Sequence, residues 1–444
     1  MGRRTMRVCQ GGVPLRTFQL NGQVLQIKTE WSKNKKSNNR SAQMATDTNR
    51  PVNVAVVTYV SGRAAAPFGF PARNAAELMV ETINAGGQLP EPYAASGFAG
   101  RKLSLRVYDE SGSEDEQIAL SRRIHADGAD IVVGYAGSAV AMAIAPVAEE
   151  LGLLTVVSGG GASQLFARQW DWVFRTQTTT TADSVGAARY VAAQLGVCGL
   201  GFGGINQQYL WGTDSWKEFR AALQVLQPDA QEVGGHFAPL YSGSVETPIN
   251  FLKEQGAQLI HSGNWGVDLF RLVEVARTTI PDTRLLLVSG ESGLHRLAGI
   301  IPDGTILGGR GSHGLLAHDT ELNRWFCSNY RDRYEIAPIY PSYGIANALL
   351  GLKAAWDRAG AGAKTIDVAS VLAGSTFEGV GSTISMMRAN GRQAVAEAVY
   401  GTVRRREGSK EIELTNVVRF APNKVTPPDG MSGLEWIERR FGSR

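Results

Sequence analysis

Residues 52–60, VNVAVVTYV, are followed by the loop SGRAAAPFG (61–69), by AELMVETINAGG (76–87) and by KLSLRVYDE (102–110). The first run is β-branched and apolar almost throughout, the pattern of a strand buried on both faces rather than one. AELMVETIN carries its apolar residues at helical spacing, and Gly86 and Gly87 stop the helix because glycine accepts the left-handed backbone a helix end needs. Strand, helix and strand in this order define a βαβ unit, and with it a parallel sheet.

The same grammar continues outward from that unit. EDEQIALSRRIHADG reads as a helix, DIVVGY (130–135) as a strand, residues 138–151 as a helix and LTVVSG (154–159) as a strand, before a break around QWDWVFRT. It then restarts: a helix over 183–196, VCGLGFGGI, a helix from about Thr213, a strand near 233–241, QLIHSGN (258–264), the helical FRLVEVART and the strand RLLLVSG (284–290). The expected fold is α/β, two doubly wound parallel-sheet lobes. No repeat of twenty to fifty residues marks a solenoid. In such sheets the ligand crevice is built by loops at the carboxyl ends of the strands. Those loops are SGRAAAPFG, YAGSA, SGGGAS, INQQYLWG, SGNWG and SGESG. Hydroxyls and backbone donors next to flat apolar walls suit a small polar molecule with an apolar part.

Composition narrows the function classes. With 444 residues and 43% hydrophobic side chains the chain buries a large core, and no run of about twenty apolar residues spans a bilayer. The three cysteines, Cys9, Cys198 and Cys327, are too few and too scattered for a disulfide framework or a zinc site. The net charge of +4 is uneven: residues 1–50 hold ten Lys or Arg and two acids, so the remainder is mildly acidic and has no global reason to hold nucleic acid. Residues 1–50 lack the apolar block of a secretory signal. They read as a basic extension without a fold, as an upstream stretch ahead of an alternative start at Met44, or as an unusual targeting peptide.

Enzyme chemistry finds no foothold. Gly199-Leu-Gly201-Phe-Gly-Gly204 has G-x-G-x-x-G spacing, yet its glycines fall inside a strand instead of between strand and helix, which leaves close strand packing as their reason. There is no phosphate loop and no G-x-S-x-G elbow. His313 and His318 are five apart and do not share a helical face. No metal site, cofactor or catalytic constellation is expected. Ser158 to Ser163, SGGGAS, is the stretch suited to an anion or, on the plainer reading, a turn.

In order along the chain, Ser61-Gly62 with Phe68-Gly69, INAGG (83–87), KLSLRVYDESGSEDEQ, VVGYAGS, SGGGAS and Asn206-Gln207-Gln208-Tyr209 before Gly212 resemble the type I periplasmic substrate-binding proteins of the leucine/isoleucine/valine-binding kind. The likeness runs from about Val52 to about Tyr400. It implies two lobes joined by three crossovers, here residues 51–176 with 314–392 and 177–313 with 393–444, closing on a ligand by hinge motion. It also implies a non-enzymatic solute-binding component of an ABC transporter, with an amino acid (branched-chain or otherwise apolar) or related carboxylate as ligand, a permease as partner and the periplasm as location. A cytoplasmic ligand sensor of the same fold stays open, given the missing signal.

Carried over by motif, Ser138 and the backbone of Gly160, Gly161, Ala162 and Ser163 would hold a carboxylate. Tyr209 and Trp265 would close over it, Glu291 would face an ammonium group, and Phe68 and Tyr340 would line the apolar pocket. Plainer roles stand beside these: a helix cap for Ser138, core for Phe68 and Tyr340, surface for Glu291. Three departures weaken the carry-over. Ala162 stands where amino-acid binders of the family have threonine, Glu291 aligns only if its loop is one residue shorter, and YDESGSE and YAGSA lack the family's cysteine pair.

Overall fold

The computed structural model describes residues 17–20, 23–26, 50–406 and 411–442. The chain divides into two units, Met1–Asp47 and Thr48–Arg444. In the first, β1 (Thr17–Leu20) pairs antiparallel with β2 (Gln23–Gln26). Of the basic extension expected without a fold over residues 1–50, these two strands are described. The rest of that expectation lies outside the described residues.

The second unit holds two sheets. The first runs β13 (Thr376–Glu378), β14 (Thr383–Arg388), β15 (Gln393–Val395), β7 (Val173–Arg175), β6 (Leu154–Val157), β5 (Ile131–Gly134), β3 (Val52–Thr58) and β4 (Leu103–Asp109). The second runs β17 (Ile412–Phe420), β16 (Ala398–Arg405), β12 (Ile306–Gly308), β11 (Arg284–Leu287), β10 (Leu259–Ser262), β8 (Gly201–Gln207) and β9 (Gln231–Ala238). β3 to β7 are parallel to one another where they pair, as are β8 to β12. The lobes are not wholly parallel: β14 is antiparallel to β13 and β15, and β16 to β12 and β17. These antiparallel strands come from the last seventy residues, where no strand was expected.

Each sheet is covered on both faces, which is why its central strands read as continuous apolar runs. On one face of the first sheet Val54, Val56, Ile131, Val133, Leu154 and Val156 pack with helices Phe70–Ala85 and Tyr340–Ala359. On the other, Ala55, Val57, Val132 and Val157 pack with helix Ser138–Leu151. In the second sheet Phe202, Leu259, Leu286 and Ile306 face one way, while Ile205, Ile260, Leu285, Leu287 and Leu307 face the other. The chain passes between the sheets three times: after β7 into helix Thr180–Gln194, through 309–320 after β12, and at Ala396-Glu397 between β15 and β16. β15 belongs to the first sheet, so that last passage falls beyond Val395, past the boundary expected at residue 392.

The glycines of β8 have a packing reason. A Cβ on Gly204 would come within 2.6 Å of the Trp216 ring, and one on Gly203 within 2.5 Å of Leu252. Helices Leu210–Leu226 and Glu246–Glu254 therefore lie directly on the strand backbone. Gly204→Ala is expected to destabilise the fold by about 1–3 kcal/mol through overpacking. Gly362→Ala, where nothing lies within 4 Å of the new methyl group, should stay within about 0.5 kcal/mol. Equal midpoints in urea unfolding would contradict this account of β8.

Candidate functional site

At the carboxyl ends of the parallel strands two sets of loops meet. On the first sheet the decisive turn is Gly159–Ala162, after β6. Its carbonyls are all engaged: Gly159 accepts from Tyr340 Oη at 2.6 Å and from Arg310 Nη2 at 3.2 Å, and Gly161 accepts from the Thr180 amide at 3.0 Å and its hydroxyl at 2.9 Å. Arg175 Nη1 donates to both Gly160 (2.8 Å) and Ala162 (2.7 Å), while its Nε is held by Gln393 at 2.7 Å. The amides of Gly161 and Ala162 donate to Ser138 Oγ at 3.1 and 3.2 Å. Ser138 thus orders the turn that follows β6 as well as opening its own helix, and keeps its own hydrogen as the remaining donor. The two amides expected to be free for a carboxylate are already used.

Glycine suits the close packing of this turn, most strictly at Gly159, where a Cβ would come within 2.8 Å of the Ala136 backbone. A side chain at Gly160 would press on Ala141 and the Gly137 carbonyl, and one at Gly161 would run into the Arg310 guanidinium and the Trp211 ring. The neighbouring turn is held by Glu110, fully buried, which accepts from the Ala136 amide at 2.9 Å and the Gly137 amide at 2.6 Å.

The second sheet contributes rings. Asp268 accepts from Gln207 Nε2 (2.6 Å) and the amides of Tyr241 (2.7 Å) and Gly243 (3.0 Å), tying three loops together. On that frame Trp265 Nε1 donates to Tyr209 Oη at 2.9 Å, and Trp265 meets Phe68 of the opposite lobe edge to face, with centroids 4.6 Å apart. Phe68 and Trp265 line a cavity of about 320 Å³ with Arg63, Tyr241, Phe270 and Arg296. Between the two sets lies Arg310, in the left-handed region at φ 58°. Its guanidinium is 4.6 Å from the Tyr340 ring centre and 4.7 Å from that of Trp211.

Eight of the ten residues expected at the site therefore occupy one contiguous region: Ser138, Gly160, Gly161, Ala162 and Tyr340 through the first turn, and Phe68, Tyr209 and Trp265 through the second. Two do not. Ser163 turns away, its hydroxyl 3.0 Å from that of Thr181, and lines a separate cavity of about 430 Å³ with Arg175, Glu218, Arg388 and residues 427–435. Its place in the chain puts it one residue past the turn, in a 3-10 segment that reverses its direction. Glu291 is buried against Gly309 and Gly314, under the loop that carries Arg310.

The sequence reading missed Arg310, Trp211, Arg175 and Glu110. Trp211 stands in INQQYLWG beside the chosen tyrosine. Arg310 stands in GGRGSHG, a glycine-rich loop after a strand like the six others. Arg175 and Glu110 carried no signal, since an arginine in a short strand and a glutamate at a strand end read as surface. Among the described residues several buried polar atoms around these loops have no hydrogen-bond partner, among them Asn206 Nδ2, Trp211 Nε1, Asn264 Oδ1 and Arg175 Nη2, while Arg310 Nε and Asp183 Oδ2 lie 3.6 Å apart as an ion pair. Buried polar groups are normally paired, so such a concentration marks where a polar solute makes contact.

A fold of two sheets with donors on one lip and rings on the other is that of a two-lobed solute-binding protein. The periplasmic binding protein family model matches residues 51–407, and the chain belongs to that family. It is 26% identical over 216 residues to Leu/Ile/Val-binding protein homolog 3 of Brucella melitensis, which covers 48% of this chain and 54% of that protein; the match thus spans about half of that relative's length. In structure it is similar to the Leu-, Ile-, Val-, Thr- and Ala-binding protein of Brucella ovis in its closed conformation (21% identity, TM-score 0.70, covering 85% and 97% of the two chains). It is equally similar to an ABC-transporter solute-binding protein of R. palustris in complex with benzoate (18% identity, TM-score 0.70, 84% and 97%). No helix among the described residues is long and apolar enough to cross a membrane.

Burial raises the carboxyl of Glu291 to about 8 and that of Glu218 to about 8. The folded state keeps a proton that the unfolded chain loses above about 4.5. The stability from each acid is complete below that value and lost as pH rises to about 8. Burial lowers His261 to about 3 and His313 to about 4, which acts in the opposite sense but only below about 6.5. The melting temperature is expected to fall between pH 6.5 and 8. Glu291→Gln should remove roughly 2 kcal/mol of that loss. A wild-type melting temperature that is flat across this window, or an unchanged slope in the variant, would contradict the assignment.

Proposed function

We propose that the protein is the solute-binding component of an ABC transporter, a non-catalytic carrier that takes up a small carboxylate with an apolar body and presents it to a membrane permease on the periplasmic side. The observation that carries this reading is the convergence of Ser138, the Gly159–Ala162 turn, Tyr209 and Trp265 from two lobes onto one region rich in unpartnered polar atoms. The relatives named above support the solute class: one is named for leucine, isoleucine and valine, another is in complex with benzoate, and each of these solutes joins a carboxylate to an apolar group. One of them is the solute-binding protein of an ABC transporter, which favours transport over the cytoplasmic-sensor alternative.

In this reading Ser138 donates its remaining hydrogen to the solute, and Gly160, Gly161 and Ala162 shape the surface on which it rests. Tyr209, Trp265, Phe68 and Tyr340 enclose its apolar part. Rings suit this because they exclude water over a large area while holding few rotamers. A branched-chain or other apolar amino acid is the first solute to test. Isothermal calorimetry with a panel of amino acids and aromatic and aliphatic acids should return at least one ligand. Trp265→Ala should weaken that ligand by roughly 1–3 kcal/mol, as for a buried aromatic anchor. Binding of no panel member would refute the function, and unchanged affinity in Trp265→Ala would remove that ring from the site.

A further inference from the structure

The second cavity, of about 430 Å³, is separate from that of Phe68 and Trp265 and is walled by both lobes. Phe166, Arg175 and Arg388 come from the first, Thr181 and Glu218 from the second, and residues 427–435 complete the wall. Gln164, Ala167 and Asp429 are exposed members of that wall, so the space is reached from solvent. Two of its side chains are enclosed and incompletely bonded. Arg175, 0% exposed, donates from Nε to Gln393 and from Nη1 to the Gly160 and Ala162 carbonyls, while Nη2 has no partner. Glu218, 5% exposed, accepts at Oε1 from the Thr181 hydroxyl at 2.8 Å, while Oε2 has none. Gly433 fixes which oxygen stays open: a Cβ there would come within 2.2 Å of Thr181 Oγ1 and 2.6 Å of Glu218 Oε1, so the chain is pressed against the bonded side of the carboxyl.

The other polar groups of the wall are engaged. Arg388 donates to the Pro428 and Met431 carbonyls and stands 3.9 Å from Asp429, which accepts from the Ala389 amide. Glu435 accepts from Arg439 at 2.8 Å, and the Gln393 amide donates to the Gln177 and Ala394 carbonyls. The hydroxyls of Thr179 and Ser432 accept from the amides of Ala182 and Glu435 and keep their own hydrogens to give. Burial raises the Glu218 carboxyl to about 8, so near neutral pH it carries a proton. Thr181 already donates to Oε1, which puts that proton on Oε2. The cavity therefore offers an occupant donors: an arginine N–H, a carboxyl O–H and two hydroxyls. An apolar occupant would leave buried donors unmet, which is costly, and a cation would face Arg175. An ion with several oxygen acceptors meets them, and a single negative charge suits a wall that also holds Asp429 and Glu435.

Independently of what the cleft binds, we infer that this cavity is a second binding site, for a small singly charged oxyanion held by Arg175 Nη2 and the Glu218 carboxyl and bridging the two lobes. Because Nη1 of the same guanidinium grips Gly160 and Ala162, an ion on Nη2 also steadies the turn that floors the cleft. Acetate and nitrate, the organic and the inorganic form of this chemistry, test it by thermal unfolding of the full chain, each against chloride at equal ionic strength. At least one of them is expected to raise the melting temperature by about 2 °C or more at about 50 mM, as a ligand of the folded state does. Ala167→Trp, at an exposed position of the wall, should fill the cavity and abolish that rise. Glu218→Gln, which keeps a donor, should retain it, and Glu218→Met should lose it. Should Glu218→Met fail to fold, Ala167→Trp still decides. A rise with acetate alone identifies a carboxylate as the occupant, and a rise with nitrate alone an inorganic ion. No rise with either, or a rise that survives Ala167→Trp, would overturn the inference and leave the solute-binding reading standing.

Discussion

The structure around the cleft depends on the grip of buried groups on four residues, Gly159 to Ala162. A turn that carries three consecutive glycines has little intrinsic preference for one shape, because glycine loses more conformational freedom on ordering than any other residue. Here the shape is imposed from outside. Arg175 takes two carbonyls from below, Tyr340 and Thr180 take the other two, and Ser138 takes two amides. Arg175 is fully buried, and desolvation lowers its pKa to about 9; bonds to carbonyls and Gln393 compensate a charge that would otherwise be costly to enclose. Since β7, which carries Arg175, leads straight into the first passage between the lobes, the turn is tied to the hinge as well as to the cleft.

The second lobe solves the opposite problem. Large rings need no external order to be rigid, but they need placing. Asp268 does this at a distance, drawing Gln207 and the loop of Tyr241 together so that Trp265 and Tyr209 meet at a hydrogen bond. Trp211 reaches across to Gly161, and Arg310 lies between it and Tyr340. At the cleft the lobes thus touch through a cation and rings, with the Gln164–Asp214 and Ser163–Thr181 hydrogen bonds to one side.

Much of the fold was legible because burial on both faces writes itself into the central strands: VNVAVV, DIVVG, LTVV and RLLLV announce their places without help from neighbours. The antiparallel edge strands were not legible. TISMMR and AVYGTVRR mix polar and apolar residues, since an edge strand answers to one covered face and to its partner rather than to a core on each side. At the site, residue types whose chemistry is local, such as a serine opening a helix or a tryptophan in an Asn-Trp-Gly loop, could be found from the sequence. Ser163 and Glu291 could not be placed, because a single residue of offset turns a side chain from the cleft to another face. Arg175 and Glu110 escaped altogether: their role is set by partners more than a dozen residues away, which no local pattern encodes.

The account turns on where the solute sits, and a crystal structure of the full chain with a bound ligand tests that most directly. The account predicts density between Ser138 and the Gly159–Ala162 turn on one side and Tyr209, Trp211 and Trp265 on the other. Density instead in the 430 Å³ cavity beside Ser163, Glu218 and Arg388, with none between the lobes' loops, would contradict it.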